Sequence, residues 1–580
     1  MVEAEVETTA ASDGPTDRGP LPGVAAVRTA TVAYLTVVVA LVVATVVLTE
    51  GTYTYPLDDP AIHLAVARRL TFDATWGVVA GDYQAASSSP LWTLLLAPTQ
   101  FVVRGARGEL VPLVLNVVAG LWVVRLMRPD LAALRPSPRR PLDVLAVVGL
   151  VVGPLFLPGL TVVGMEHTLH MGAVLAVCLA VEARWAVPGQ ALPPWLAGAP
   201  RWAPYALMAV ATGIRFESVA LVPACTLGLV AVSRWTDPSL RPAAGGDRGW
   251  MRPLAGLSAA AAGTIGVTAA WNLAYGQRIL PNSVMVKSLG DRGDTRRSVG
   301  AAVERLLDDP LLVACALVAV AVLVVARRSG EPVRQGAAAA VFPAVVTLVA
   351  ITAQVWLGGV EPSLRYQAYL YGLGVWTLLR AVPVLQGLVA APRPRVPAAA
   401  VVLAFLPAAI PALTITADQP NDSAITWQQR YQVARFLQDA YRDQPIAIGE
   451  LGYISLYHEG PLTDVYGLAD REVLDARMGG RADAEFWSGL QQRRGFPVVV
   501  TYSFALHGEE PDDWIPVAEW RSPDAYYTTT RFWAAVPEEV APLTEDLQRF
   551  EHQLPGEVEV WYNELAGFAA ATRMDERAAG

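Results

Sequence analysis

The sequence predicts a polytopic α-helical membrane protein of about 11 transmembrane helices with a C-terminal extracytoplasmic α/β domain. Three observations lead there. Long apolar runs fill residues 29–416 and then stop, and a bilayer span needs about 20 mostly apolar residues. Only 17% of the chain is charged, against about 25% in an average soluble domain. Charge also divides the chain. Residues 417–580 hold 28 acidic and 13 basic side chains, whereas the part before them carries an excess of base. That excess suits arginine-rich loops facing the cytoplasm. An acidic tail repels phosphodiesters, which excludes nucleic acid as a partner and leaves the lipid bilayer.

Residues 1–28 are polar and read as a disordered cytoplasmic tail. The run 29–48 is a first span. Its acidic lead, and the lack of a small-residue cleavage site after it, make it a retained helix rather than a cleaved signal. Further apolar runs cover 90–103, 111–127, 143–163, 167–184, 203–214, 216–233, 254–273, 310–326, 336–357, 364–385 and 396–416. Four basic clusters lie between them, the densest made by Arg125, Arg128, Arg135, Arg139 and Arg140. Placing all four in the cytoplasm favours one net crossing by 90–103 and 111–127 together, the first part being re-entrant or interfacial; an extra span elsewhere would also restore the parity. The transmembrane domain is then 29–416. Its outer face receives the first loop 50–89, the turns 164–168 and 361–366, the break at 215–217, the loop 274–309 and the domain 417–580. In that domain 427–441 has helical spacing. Residues 445–454 and 496–503 read as buried strands, and the helices between them favour a parallel pair. The segment from residue 542 onward reads as polar helix and tail.

Polar chemistry concentrates on the outer segments. The first loop holds Asp58 and Asp59 ahead of a Pro60-led helix. A carboxylate at a membrane surface can take a proton from an acceptor hydroxyl, and an apolar surround suits it to act as a base. The serine run 87–89 before Pro90 is a plain helix start. Glu166 and His167 lie at the turn between two spans, and Arg215 and Glu217 interrupt an apolar stretch. Intramembrane ions are costly and are either paired or functional. The loop 275–298 carries Arg278, Asn282, Lys287, Arg292, Arg296 and Arg297, a basic outer segment suited to gripping a lipid phosphate. Lys287 is the one lysine among 44 basic residues. Arg365 and Tyr366, at another helix start, offer a second phosphate donor.

Other chemistries lack their residues. His63, His170, His458, His507 and His552 have no metal-ligand spacing. Cys178, Cys225 and Cys315 sit in apolar runs and form neither a disulfide framework nor a zinc motif. No glycine-rich phosphate loop is present, so a soluble nucleotide donor is unsupported. No cofactor is needed, although Asp58 and Asp59 could hold a divalent metal.

The order of the outer "DD", "SSSPLWTLLLA", "GMEH", "RFES", "YGQRILPNSVMVK", "RY" and "IGELGYI…DVYGLAD" resembles membrane glycosyltransferases of the GT-C superfamily. Within it, the chain looks most like the terminal arabinofuranosyltransferase family of mycobacterial cell-wall assembly and its relatives of unassigned function, over about residues 30–475. The resemblance implies a sugar, arabinofuranose in that family, taken from a polyprenyl-phosphate carrier. It would pass to a cell-envelope polysaccharide or glycolipid acceptor outside the cytoplasm. The resemblance places the catalytic acidic residue in the first outer loop, as Asp58 or Asp59. In this scheme Arg278, Lys287 and Arg365 stabilise the leaving phosphate, Asn282 orients the sugar or phosphate, and the outer domain holds the acceptor. The alternative is a transporter or flippase of a lipid-linked sugar. It predicts inverted repeats and charges near the bilayer middle; the sequence shows no repeat, and its ions gather at one face.

Overall fold

The computed structural model describes residues 23–103, 105–186, 196, 198–235, 250–279, 281–282, 285, 298–328, 331–389, 397–502, 505–506, 508–522 and 529–563. It is a bundle of apolar helices joined to a C-terminal α/β domain. Among the described residues, eight helical segments are long and apolar enough to cross a membrane: Val24–Leu48, Gly108–Leu126, Pro141–Val163, His167–Ala186, Phe216–Arg234, Met251–Ala274, Pro310–Arg328 and Ala339–Gly358. Helix Ala203–Ile214 is shorter, and helix Ala368–Val389 packs among the spans.

The first helix illustrates how a span is placed. It starts at Val24, ahead of the apolar run, so the tail expected over 1–28 gives way to helix before it ends. Its buried residues Ala26, Ala30, Tyr34, Val38, Leu41 and Thr45 form one stripe, while Val32, Val39, Val43 and Val47 face outward. In lipid a helix gains nothing by hiding valine, so the packed stripe is set by shape and polar contacts. Tyr34 supplies both. Its hydroxyl lies 2.6 Å from Thr161 Oγ1, and it fits because Gly120 has no side chain: a Cβ there would come within 2.3 Å of the oxygen.

The run 90–103 is not one continuous helix. It breaks into helices Pro90–Leu96 and Thr99–Val102, consistent with a re-entrant or interfacial path. The last run, 396–416, also breaks. Helix Ala398–Leu403 and a 3-10 turn precede helix Ile410–Thr426, which passes through the expected domain boundary at 417 and continues by a π-helical turn, Trp427–Tyr431, into helix Gln432–Ala440.

The α/β domain holds one six-stranded sheet in the order β2-β1-β3-β5-β4-β6. The strands are β1 (Ile446–Ile448), β2 (Leu462–Asp464), β3 (Val498–Tyr502), β4 (Ile515–Arg521), β5 (Thr529–Ala534) and β6 (Glu559–Tyr562). β1 and β3 pair in parallel, with Ile446 opposite Val498, as the two buried runs predict. β4, β5 and β6 add antiparallel strands that the sequence reading leaves out. β6 corrects the expectation of helix and tail after 542: helix Val540–Phe550 forms, but a strand follows it. β6 alternates exposed and half-buried residues along an edge, which gives it little apolar signal.

The two parts share a core. Helix Asp59–Asp73 of the first long loop buries Ala61, Leu64, Ala65 and Val66 in one cluster with Trp92 and Leu96, and with Phe436, Ile446, Tyr453 and Ile454 of the α/β domain. The loop is therefore clamped between the membrane bundle and the sheet.

Candidate functional site

The two adjacent aspartates face different ways. Asp58 is buried, and its carboxylate accepts the backbone N–H groups of Gly452 (2.5 Å) and Tyr453 (2.9 Å). Those amides open the short helix Gly452–Tyr457 and would otherwise lack partners. Burial pushes the Asp58 carboxyl up, against Arg430 and the two amides, which favour its charge. Glu450 lies beside this pair, with Arg430 Nη2 3.5 Å from its Oε1. Burial drives the Glu450 carboxyl up to about 8; Arg430 opposes the shift, and Asp58 and Asp59 add to it.

Asp59 opens the helix Asp59–Asp73, and its side chain is 42% exposed. It therefore keeps contact with solvent while one oxygen lies 3.0 Å from Arg365 Nη1. Arg365 is anchored from behind, its Nε lying 2.8 Å from Glu361 Oε2. A guanidinium held by two carboxylates points in a fixed direction, which a free arginine would not.

Beneath this pair the charges continue inward. The Tyr366 ring lies between two guanidinium carbons, those of Arg365 and Arg215, each 5.1 Å from its centroid. Arg215 stands in extended backbone, φ −150°, where helix Ala203–Ile214 stops and a 3-10 turn begins. It donates to Glu166 (2.6 Å) and to Glu217 (2.5 Å). Glu166 is fully buried and also accepts from Ser89 Oγ at 2.5 Å. Burial would raise its carboxyl; the neighbouring histidines, Arg215 and Ser89 outweigh that and hold it well below the usual range. His63 Nε2 lies 3.8 Å from Glu166 Oε2, while His63 Nδ1 meets Thr93 (3.1 Å) and Ser87 (3.2 Å). Desolvating such charges costs several kcal/mol each unless they are paired, and the pairing here is nearly complete.

Several buried polar atoms remain without a hydrogen-bond partner. Both ring nitrogens of His167 are buried without a hydrogen-bond partner, as are Glu166 Oε2, Arg215 Nε and both ends of the Asn282 amide. Asn282 is fixed by its backbone N–H on Ala85 O (3.0 Å), next to the serine run. A buried polar group without a partner costs about 1–3 kcal/mol, so a site that leaves several open is suited to a polar ligand or to water.

Of the residues singled out by sequence, Asp59, Glu166, His167, Arg215, Glu217, Arg365 and Tyr366 meet in this one connected cluster. Asp58 is adjacent but turned into the α/β domain. Arg278 lies elsewhere: its guanidinium is engaged by Asp475 Oδ1 at 2.7 Å and 3.2 Å, and both side chains are about one-third exposed. Its guanidinium thus has a carboxylate of the α/β domain as partner. Lys287 lies outside the described residues, as do Arg292, Arg296 and Arg297. Ser89, His63, Glu361, Arg430 and Glu450 join the cluster although the sequence does not single them out. His63 in particular, which has no metal-ligand spacing in the sequence, is buried against Glu166. Glu450 carries a signal, since it stands just past the end of the buried strand β1, where parallel strands deliver ligand-facing residues. Among the described residues no group of three or more His, Cys, Asp or Glu side chains could hold a metal ion.

A family profile for a domain of unknown function, DUF8728, matches residues 423–536. No curated protein matches the chain. Among solved structures, the chain is similar to the apo oligosaccharyltransferase of Archaeoglobus fulgidus, with 13% identity and a TM-score of 0.43 over 86% of this chain and 74% of that one. It is similar to the same archaeal enzyme, AglB, in complex with an inhibitory peptide and a dolichol-phosphate, with 12% identity and a TM-score of 0.44 over 86% and 74%. It is also similar to ArnT from Cupriavidus metallidurans bound to undecaprenyl phosphate, with 13% identity and a TM-score of 0.45 over 87% and 98%.

Proposed function

We propose that the protein is a membrane glycosyltransferase that moves a sugar from a polyprenyl-phosphate carrier to a polysaccharide or glycolipid acceptor at the outer face of the membrane, with Asp59 as the base. The observation that carries this reading is the Asp59–Arg365 pair, an open carboxylate 3.0 Å from a guanidinium anchored by Glu361. The pair stands over the buried Glu166 and Arg215 and the partly exposed Glu217, at the ends of apolar helices. In the proposed reaction an acceptor hydroxyl oxygen attacks the anomeric carbon and its proton passes to Asp59. The bond from that carbon to the phosphate oxygen breaks, and the electron pair leaves with the phosphate. Arg365 offsets the charge that develops there, and His167 and Asn282 take hydroxyls of the bound sugar. Asp58, committed to the Gly452 and Tyr453 amides, holds the loop. The basic cluster made by Arg125 and its neighbours supports a non-cytoplasmic position for the site and the α/β domain. The resemblance in motif order favours arabinofuranose as the sugar and the cell envelope as the acceptor's home.

The second reading, a transporter or flippase of a lipid-linked sugar, has less support. Its charges should lie near the bilayer middle, whereas this cluster sits in loops and at helix ends. The test is a membrane assay with a radiolabelled polyprenyl-phosphate sugar and a short glycan acceptor. Transfer that vanishes in Asp59→Asn supports the proposal. Full transfer in that variant refutes the base, and movement of the lipid-linked sugar without transfer refutes the enzyme.

A further inference from the structure

A polar cavity lies away from the aspartates, between the first long loop and the α/β domain. Its volume is about 470 Å³, within the range of about 300–1,000 Å³ common to small-molecule sites. One wall is Asp82, Tyr83 and Gln84 with Gln277. The other is the edge strand β2 with Asp470, Glu472 and Arg494. We infer that this cleft binds a neutral, polyhydroxylated glycan chain.

Three features carry the inference. The first is the mixture of donors and acceptors. Arg494 donates to Glu472 Oε2 (2.9 Å) and Thr463 Oγ1 (3.2 Å) and is bound to Asp470. Across the gap Gln84 Nε2 donates to Asp82 Oδ2 at 3.0 Å. Gln277 Nε2 is held by Tyr83 O at 2.9 Å, which leaves its Oε1 buried without a partner. A sugar hydroxyl donates once and accepts twice, so it can meet such a wall in either sense. The second feature is an aromatic track. The rings of Tyr83 and Tyr275 stack with centroids 4.4 Å apart and 8° between planes, and Trp271 lies 5.3 Å beyond Tyr275. Trp271 and Tyr275 are half exposed. Those two, at the end of a span, are ordinary membrane-interface residues. Tyr83 belongs to the loop and lines the cleft; Tyr275 covers one face of its ring, and the C–H face of a sugar can lie on the other. The third feature is charge. Three carboxylates line the cleft, on Asp82, Asp470 and Glu472, against the two guanidinia of Arg471 and Arg494. A phosphorylated, sulfated or uronate chain is disfavoured there.

The groove's wall at 82–84 runs directly into residues 85–89, where Ala85 receives Asn282 and Ser89 donates to Glu166. A chain seated in the cleft thus lies along the same segment as the candidate site. Its role as the acceptor rests on the glycosyltransferase reading; its binding does not.

The test is equilibrium binding to the full-length protein in nanodiscs, without donor. The probes are a neutral arabinofuranose hexasaccharide, a neutral mannopyranose hexasaccharide, a hexagalacturonate and an uncharged acceptor-type peptide. The inference expects one neutral hexasaccharide to bind, with affinity reduced about tenfold or more in Tyr83→Ala, Gln277→Ala and Asp82→Ala and retained in Tyr83→Phe. Asp82 is exposed, so that variant checks the groove without disturbing the fold. No binding by either neutral sugar, equal binding of the uronate or the peptide, or undiminished binding in all three alanine variants overturns it. Asp59→Asn is expected to bind like the wild type. If that variant also transfers sugar normally, the base assignment fails and the groove stands.

Discussion

The backbone amide of Gly452 lies 2.5 Å from the Asp58 carboxylate, across 394 residues of sequence. The contact requires glycine: a Cβ at 452 would lie 2.2 Å from the Asp58 carbonyl oxygen and 2.5 Å from its Cγ. Gly452→Ala is therefore expected to force the α/β domain away from the first long loop. Asp58→Ala leaves two buried amides unpartnered and is expected to cost about 1–3 kcal/mol; Asp58→Asn, which keeps an acceptor, should cost less. Thermal unfolding and limited proteolysis at the domain joint check this. Unchanged melting in both Gly452→Ala and Asp58→Ala would remove the joint from the account.

Asp59 should behave in the opposite way. Its side chain is 42% exposed, so solvent screens its pairing with Arg365, and Asp59→Asn is expected to change stability by about 1 kcal/mol or less. Loss of a general base should lower kcat by about 10²–10⁴-fold. Single-turnover transfer at saturating donor measures it, and a fall in melting that matches the fall in rate would point to structure instead.

Arg215 is the sole cation hydrogen-bonded to Glu166 among the described residues, and it also holds Glu217. Arg215→Met leaves the buried Glu166 carboxylate without its hydrogen-bonded cation, though still bonded to Ser89, and is expected to destabilise the protein by about 3–5 kcal/mol. Adding Glu166→Gln should recover part of that loss. A double variant no more stable than Arg215→Met alone would show that the two side chains do not act as a unit.

Arg278 and Asp475 are each about one-third exposed, so solvent screens their attraction. Either alanine substitution is expected to change stability by about 1 kcal/mol or less. Arg278→Ala should leave the KM for the lipid-linked donor unchanged. A large rise in that KM would restore Arg278 to the phosphate.

The pH dependence of the joint follows from Glu450. Its carboxyl is pushed from 4.5 up to about 8, first by burial. Between those values the folded protein holds a proton that the unfolded chain releases. The stabilisation is therefore fully present at low pH and is lost as pH rises toward about 8. Melting temperature is expected to fall between about pH 6 and about pH 8 in the wild type, and to fall less in Glu450→Gln. Equal slopes in the two proteins would discount this group.

The spans are legible in the sequence because an apolar run as long as a bilayer is thick is too costly to leave in water. The parallel pair β1 and β3 is legible as two continuous buried runs. Asp59, Glu166, Arg215 and Arg365 stand out because charge beside apolar sequence is costly. The pairings are not legible. Nothing in the sequence separates Asp58 from Asp59, since only the turn into Pro60 sends one carboxylate inward and leaves the other open. Arg278 looks free in sequence because its partner, Asp475, lies in another domain. Ser89 and His63 are ordinary residue types at ordinary helix positions, and only the burial of Glu166 gives them meaning.

The core that helix Asp59–Asp73 shares with Phe436, Ile446 and Ile454 also constrains how the molecule can be made. Residues emerging early from the ribosome must wait for a partner surface synthesised almost four hundred positions later, and such distant pairing is slow. Until then the helix's greasy side has to be shielded by lipid or by a chaperone. A fragment ending before residue 430 would strand that side permanently, and the isolated sheet domain would lack one of its walls.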